Sequence, residues 1–286
     1  FKCRGCYYEY SSSIANEDAG KPVPIIFAGK TPDDLYNQTL PHLEYTKKIY
    51  FAGGEPLIQW EHWKILDKLL EQNNTDISLV YNTNFSTMKY KNKNIVDYWK
   101  QFKNVKLLLS IDGMEEGGDW WRHGNDWERL QNNIETVKTE CPHISLGVTC
   151  TVGWANLYTA MDLIDYCSDT HLINPQEMNI NILQFPEPFS VQNVPDWKKR
   201  ELEERVEKTL SKYFLCHRDS LLSSNLRGLI NFMWETSITD ETVYKDLIVG
   251  PWNGLVTHRD ILRKESFFET FPEHINMKEL LSESVS

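Results

Sequence analysis

The chain has 286 residues, of which 41% are hydrophobic and 12% aromatic, so it can bury a sizeable core and a largely disordered chain is excluded. Its formal net charge of -11 argues against nucleic acid or an anionic membrane as the main partner, because both attract clustered Lys and Arg. No apolar run approaches the roughly 20 residues of a membrane span, and the six thinly spread cysteines indicate a reducing, cytoplasmic setting.

The first two thirds of the chain alternate between short β-branched or aromatic runs and amphipathic stretches. The alternation repeats at intervals of roughly 30 to 40 residues, which is the length of a βα unit and predicts a parallel sheet, either a barrel or a doubly wound layer. Strands are predicted at 48–51, 77–82, 106–111, 144–151 and 178–185. Helices are predicted at 60–73, 94–102, 126–140 and 155–168.

The pattern changes after residue 185. An irregular connector, "PEPFSVQNVPD", precedes a charged helix with the sequence "WKKRELEERVEKTLSKYF". A further helix is predicted at 219–235, and residues 250–286 are predicted to be a loop followed by short helices. We therefore expect a core over residues 1–190 and a C-terminal helical extension over residues 191–286.

Two cysteines, Cys3 and Cys6, form a C-x-x-C pair in the opening stretch "FKCRGCYYEY". Such a pair is typical of half a zinc site, of a thioredoxin-type redox site or of an iron–sulfur ligand set. A zinc knuckle needs a second ligand pair, which the other four cysteines do not form. The thioredoxin motif needs a helix directly after it, and "YYEYSSS" is a poor helix start. The residues alone favour iron–sulfur ligation.

Polar, turn-forming motifs follow three successive predicted strands, and in a parallel barrel such strand ends meet at one mouth. Each motif is also consistent with an ordinary turn or a capped strand end. The motifs are "GGEP" with Gly53, Gly54, Glu55 and Pro56; "YNTN" with Asn82, Thr83 and Asn84; and "SIDG" with Ser110 and Asp112.

The stretch "WWRHGNDWE" follows the third motif. Its Arg122 is either a surface arginine or a bidentate clamp for a carboxylate, and His123 is more typical of a structural residue than of a base. The aromatic side chains near the motifs either line the mouth, where they would grip an extended peptide, or pack its rim. They are Tyr7, Tyr8, Trp120 and Trp121.

Together these motifs resemble the radical S-adenosylmethionine (SAM) superfamily, and most closely its SPASM/Twitch-type branch. The family motif is C-x-x-x-C-x-x-C, of which Cys3 and Cys6 match the second and third cysteines, so the first is expected two residues upstream of Phe1. The resemblance implies a partial (β/α)6 TIM-like barrel whose first strand precedes the chain. Gly5 departs from the family pattern, which commonly has an aromatic residue there, and the C-terminal part lacks the cysteines of an auxiliary cluster.

The resemblance also implies a role for each matched residue. Cys3 and Cys6 would be ligands of a [4Fe-4S] cluster, and "GGEP" would bind the amino group of SAM. Arg122 would bind the SAM carboxylate, and Asn156 in "TVGWAN" would lie near the adenine. The SAM-binding residues implied in this way are Tyr7, Gly53, Gly54, Glu55, Pro56, Asn82, Asn84, Ser110, Asp112, Arg122, Asn156 and Leu183.

The implied activity is reductive cleavage of SAM and hydrogen abstraction from a substrate, which we expect to be a peptide or a small molecule. A one-electron reductant such as a flavodoxin or ferredoxin is the implied protein partner. Two other interpretations stay open on the residues alone. One is a non-catalytic zinc-binding α/β module, and the other is a TIM-barrel hydrolase using Asp112 and Glu55, which leaves the cysteines and Arg122 without a role.

Overall fold

The computed structural model describes residues 1–6, 11–21, 29–31, 33–214, 220–236 and 248–282. The chain forms two compact units, each of which draws on distant parts of the sequence. The cysteine unit consists of Phe1–Ile14, Ile111–Trp127 and Thr149–Ser286. The GGEP unit consists of Ala15–Ser110 and Glu128–Val148.

The strands in chain order comprise one five-stranded sheet and two short antiparallel pairs. They are β1 (Lys2–Cys3), β2 (Lys48–Phe51), β3 (Ser78–Thr83), β4 (Lys89–Tyr90), β5 (Lys93–Asn94), β6 (Asn104–Ser110), β7 (Arg122–His123), β8 (Ser145–Val152) and β9 (Met178–Ile182).

The five-stranded sheet has the order β2-β3-β6-β8-β9 and is parallel. Its register places Tyr50 opposite Val80 and Tyr81 opposite Leu107. All five strands lie within three residues of the predicted ones, because β-branched and aromatic runs bounded by turn residues favour extended backbone. The predicted parallel α/β architecture, consistent with a partial TIM-like barrel, is confirmed.

Six of the nine α-helices described up to residue 234 match predicted helices, whereas Ser12–Ala19, Asp34–Thr39 and Glu115–Trp121 were not predicted from the sequence. The nine are α1 (Ser12–Ala19), α2 (Asp34–Thr39), α3 (Trp60–Glu71), α4 (Ile95–Trp99), α5 (Glu115–Trp121), α6 (Trp127–Glu140), α7 (Leu157–Thr170), α8 (Asp196–Phe214) and α9 (Leu221–Trp234). None of the helices in the described ranges combines the length and apolarity that crossing a membrane requires.

The C-terminal helical segment, residues 250–282, is helical from Gly250 onward, so the predicted loop at its start is wrong. Its short helices are Gly250–Trp252, Asn253–Thr257, His258–Arg263, Phe267–Thr270 and Lys278–Ser282, with a 3-10 turn over Pro272–Met277. The sequence misled here because Pro251 and Gly254 normally punctuate loops, whereas Pro251 lies in the first turn of its helix, where a missing N–H costs nothing.

The core of the GGEP unit lies between α3 and the strands. Leu66 and Leu69, three positions apart on α3, are fully buried, and so are Leu79 of β3 and Leu107 of β6. On β6 burial alternates residue by residue, which is the pattern of a strand with one face against the core.

The core of the cysteine unit is rich in aromatic side chains. Trp154, just after β8, stacks on Trp252 with ring centroids 5.0 Å apart, and Phe267 meets both indoles edge-on. The C-terminal helical segment therefore supplies part of the core of this unit. The predicted domain boundary at residue 190 stays a prediction.

Candidate functional site

The cysteine pair lies in a short loop that is hydrogen-bonded to β7. Strand β1 pairs with β7 so that Cys3 is opposite Arg122, and the amide of Arg4 donates to the carbonyl of Trp121 (2.8 Å). The amide of Cys6 then closes a turn onto the carbonyl of Cys3 (3.2 Å). Both thiols are half-buried, so the turn brings two sulfur atoms to one partly solvent-accessible point.

Arg122 supplies a positive charge beside this loop. Its Nε lies 2.7 Å from Oδ2 of Asp112, and its Nη1 lies 3.9 Å from Sγ of Cys3. Oδ1 of Asp112 accepts from the amide of Thr151 (2.7 Å), so both carboxylate oxygens have a partner. Burial acts to lower the pKa of Arg122, but the charges of Asp112 and Cys3 raise it by more. The pKa is therefore raised overall, and the guanidinium stays charged.

The two thiols differ in acidity. A hydrogen bond from Cys6 lowers the pKa of Cys3 to about 6 against the opposing effect of burial, and the charge of Arg122 acts in the same direction. That hydrogen bond and burial raise the pKa of Cys6. A thiolate is the form that binds metal ions, and the lowered pKa of Cys3 favours that form.

The donor set fits a soft metal centre, since thiolates suit iron–sulfur clusters and zinc. Over the described ranges no group of three or more Cys, His, Asp or Glu side chains could hold a metal ion, so the pair offers two ligands. Cys141, Cys150 and Cys167 are buried. Cys216 lies outside the described residues.

The loop is packed closely at Gly5. A Cβ atom added there would lie 3.2 Å from Cζ2 of Trp121 and 3.7 Å from the side chain of Leu183. The indole of Trp121 therefore occupies the space beside this position, which accounts for the glycine. Leu183, predicted to contact SAM, is buried against this loop.

Asn156 connects backbone groups of the cysteine unit. Its Nδ2 donates to the carbonyls of Asp112 (2.9 Å) and Thr151 (3.0 Å), and its Oδ1 accepts from the amide of Gly153 (2.9 Å). Both amide N–H groups of this fully buried side chain are thus used within the protein. The structure gives Asn156 a role in fixing Asp112, and its predicted place near an adenine stays a prediction.

In the GGEP unit, the motif that follows β2 is organised around Glu55. Gly53 has φ 110°, a left-handed conformation that favours glycine, and no atom lies within 4 Å of an added Cβ. Oε1 of Glu55 accepts from Thr83 Oγ1 (2.6 Å) and the amide of Leu57 (3.1 Å), and Oε2 accepts from the amide of Asn84 (2.8 Å). Pro56 begins the 3-10 turn Pro56–Ile58.

Burial raises the pKa of Glu55, although the three hydrogen bonds act to lower it. A carboxylate offers about four lone-pair sites, so Oε2 keeps acceptor capacity. Two further predicted residues of this unit contact each other: Ser110 Oγ donates to Oδ1 of Asn82 (3.0 Å). The side chain of Asn84 accepts from the amide of Ser86 (3.0 Å).

The sequence analysis left two roles open for Trp120 and Trp121, lining the mouth or packing its rim, and their burial favours packing. Trp120 and Trp121 are 3% and 1% exposed, and Trp120 contacts Phe267 and Phe271. Tyr7 and Tyr8 lie outside the described residues. Their suggested roles stay predictions.

Arg4 is the residue that the sequence analysis missed. It stands between the two cysteines, and its fully buried side chain contacts Asp260 and Glu265. Its sequence position beside the cysteines is a signal of importance, but a charged residue in a loop is ordinarily read as solvent-exposed. His123, predicted to be structural, pairs with Glu265 (Nδ1 to Oε1, 2.6 Å).

Comparisons with known proteins give a remote structural similarity. No family model matches the chain, and no curated protein matches it. The chain is similar to Streptococcus suis SuiB bound to precursor peptide SuiA, with a TM-score of 0.46 and 14% identity over 74% of this chain and 43% of that one. It is also similar to SuiB bound to S-adenosylmethionine, with a TM-score of 0.44 and 13% identity over 66% of this chain and 41% of that one. The chain thus spans less than half of SuiB, and a similarity this low carries no argument about function.

Proposed function

We propose that this chain is the core of a radical SAM enzyme. The observation that carries the proposal is the Cys3–Cys6 turn with the part-buried guanidinium of Arg122 3.9 Å from Cys3 Sγ. Two sulfur donors in a C-x-x-C turn fit an iron–sulfur cluster, and the nearby positive charge stabilises thiolate ligands. The order of the "GGEP", "SIDG" and Arg122 motifs along the chain supports the same assignment.

In this proposal Cys3 and Cys6 would hold a [4Fe-4S] cluster together with a third cysteine upstream. When bound, such a cluster would supply the electron for reductive cleavage of SAM, and this cleavage would provide the hydrogen-abstracting chemistry. The protein's task is to bind and orient these groups and to exclude water from them.

The proposed task of Arg122 is to bind a carboxylate. Its guanidinium carries five N–H donors, so it can hold Asp112 and face Cys3 while it offers further donors to the carboxylate of SAM. Asp112 fixes the orientation of Arg122, and Asn156 fixes Asp112 through its carbonyl. A bidentate arginine–carboxylate pair gives geometric specificity as well as affinity.

In the GGEP unit the proposed ligand group is an ammonium. Glu55 keeps an acceptor position on Oε2, and Gly53 and Gly54 leave open space around the backbone. The amino group of SAM has the charge and the donors that this carboxylate fits. Ser110 and Asn82 present a hydrogen-bonded polar pair suited to a ribose hydroxyl.

The proposed substrate is a peptide, with a small molecule as the alternative, and the proposed electron donor is a flavodoxin or ferredoxin. The family resemblance supports both. The net charge of -11 supports the exclusion of nucleic acid.

The test is anaerobic reconstitution of the full-length protein with iron and sulfide. The expected product is brown, absorbs broadly in the blue region, and forms 5'-deoxyadenosine from SAM under reduction. A colourless protein that binds zinc instead would contradict the proposed enzyme and favour the alternative, a non-catalytic zinc-binding module. Peptides encoded beside the gene, analysed by mass spectrometry, would then test the substrate.

A further inference from the structure

Arg4 stands between the two candidate ligands and has no solvent exposure. Its Nη2 lies 2.5 Å from Oδ1 of Asp260 and also contacts Oε2 of Glu265. Its Nη1 lies 3.4 Å from the carbonyl of Val256, and its guanidinium covers the ring of Trp120 at 4.1 Å. Both carboxylates and the carbonyl come from the C-terminal helical segment, more than 250 residues along the chain.

Asp260 and Glu265 are in turn held by other contacts. Asp260 accepts from Trp120 Nε1 (3.1 Å) on Oδ1 and from the amide of Phe267 (2.8 Å) on Oδ2. Glu265 pairs through Oε1 with His123 of β7. The two carboxylates therefore contact Arg4 in the cysteine loop, which is residues 3–6. Through Glu265 they also contact β7, the strand that pairs with β1 at the start of this loop.

Removing either the guanidinium or a carboxylate leaves an uncompensated buried charge, which is strongly destabilising. The contacts of Arg4 with Asp260 and Glu265 therefore depend on one another. The fork of the guanidinium has a fixed geometry and tolerates little displacement of its partners. Because Arg4 is one residue from Cys3 and two from Cys6, the position of its side chain limits where both sulfur atoms can lie.

We propose that the C-terminal helical segment holds the cysteine loop in its ligand geometry through Arg4, so that Arg4, Asp260 and Glu265 are positioning residues for the cluster. This inference rests on the proposed function for the identity of the bound group. It gives the C-terminal stretch "RDILRKESFFETFPE", which contains Asp260 and Glu265, a role in positioning the Cys3–Cys6 loop. In this arrangement the candidate ligands lie near Arg4, whereas the carboxylates that hold Arg4 lie more than 250 positions further along the sequence.

The test uses the full-length protein and four variants. Asp260→Asn and Glu265→Gln each remove one negative charge at nearly constant shape, and Glu265 is the milder site because its side chain is 22% exposed. Arg4→Lys keeps the charge and loses the fork. Glu269→Gln is the matched control, because Glu269 is an exposed acid of the same segment whose side chain is not bonded to Arg4.

The first measurement is hydrogen exchange of the metal-free protein. The amides of Arg4 and Cys6 donate to Trp121 and Cys3, so their exchange reports the loop directly. We expect Asp260→Asn and Glu265→Gln to speed this exchange roughly ten-fold or more, with a smaller effect in Arg4→Lys and none in Glu269→Gln. Exchange equal to that of the control in both carboxylate variants overturns the inference, whatever the protein binds.

The second measurement is the rate of iron loading, with the electron paramagnetic resonance spectrum and midpoint potential of the loaded protein. We expect slower loading and a shifted spectrum in both carboxylate variants. Normal loading, spectrum and potential in both overturn the inference while the radical SAM assignment stands. A parent protein that takes up no iron overturns the assignment, and the cluster role of Arg4 with it.

Discussion

The cysteine unit and the GGEP unit both hold polar groups after strands of the sheet, but they fix them in different ways. In the cysteine unit, ion pairs join Arg122 to Asp112 and Arg4 to Asp260, and the second pair spans 256 positions. In the GGEP unit, neutral donors surround one carboxylate, Glu55, and all come from within 29 positions. The first arrangement places a guanidinium beside Cys3, and the second orients an acceptor.

This difference has an energetic consequence. Removing one partner of a buried ion pair leaves a charge without compensation, whereas removing one neutral donor from a carboxylate with three donors leaves two in place. Substitutions in the cysteine unit are therefore expected to cost more than comparable ones in the GGEP unit.

The largest expected effect is on iron content. Cys3→Ala or Cys6→Ala should abolish iron loading, because each removes a ligand, whereas Cys150→Ala should leave iron content near that of the parent. Cys150 is a suitable control since it is a fully buried thiol of the same unit. Iron per chain after anaerobic reconstitution is the measurement. Loss of several irons in Cys150→Ala would reveal an auxiliary cluster and contradict the assignment of this thiol to the core.

Arg122→Ala should lower the free energy of unfolding by about 3–5 kcal/mol, because Asp112 stays buried without its cation. The loss of a charge-assisted carboxylate contact should also weaken SAM binding by about 1.5–3 kcal/mol. Urea unfolding and titration calorimetry measure the two effects. Arg200→Ala, at an exposed arginine of the same unit, is the control. Unchanged SAM affinity would show that Arg122 serves only Asp112 and the cysteine loop.

Each unit also contains a buried histidine whose pKa burial lowers to about 3: His62 in the GGEP unit and His274 in the cysteine unit. Below pH 6.5 the unfolded chain binds protons that the folded histidines do not, so stability falls as the pH falls from 6.5 towards 3. At pH 5 the loss should be about 2 kcal/mol for each histidine.

Urea unfolding at pH 7 and pH 5 measures this loss. His62→Gln should reduce the pH dependence of the GGEP unit, and His42→Gln, at an exposed position, should not. An equal pH dependence in the parent and in His62→Gln would contradict the assignment to this residue.

The smallest effect is expected from Thr83→Val in the GGEP unit. The substitution removes the hydroxyl that donates to Glu55 and accepts from the amide of Phe85 (2.9 Å), at a cost of about 1–2 kcal/mol in unfolding free energy. Thr87→Val is the matched control, because its hydroxyl makes an exposed hydrogen bond to the Lys89 carbonyl. A loss of unfolding free energy larger than that of Arg122→Ala would contradict the expectation that substitutions cost more in the cysteine unit than in the GGEP unit.

Much of the sheet could be predicted from local patterns. Strand β6 alternates buried residues with exposed or half-buried ones over Asn104–Ser110, and the amphipathic spacing of α3 buries Leu66 and Leu69. These elements follow from short-range periodicity, which the sequence displays directly. The predicted loop at the start of the C-terminal helical segment is wrong, because tertiary packing of Trp252 and Phe267 outweighs the local preference of Pro and Gly for loops.

The candidate site was predictable in its residue types and only partly in its contacts. The sequence by itself determined that Cys3 and Cys6 stand at C-x-x-C spacing and that "GGEP" and "SIDG" follow strands. Only the tertiary structure decided that Arg122 faces Cys3, that Trp120 and Trp121 are buried, and that Arg4 meets Asp260. The physical reason is the range of the forces that act along the chain. Backbone preference and amphipathic period act over a few residues, whereas the partner of a buried charge is set by the packing of the whole unit.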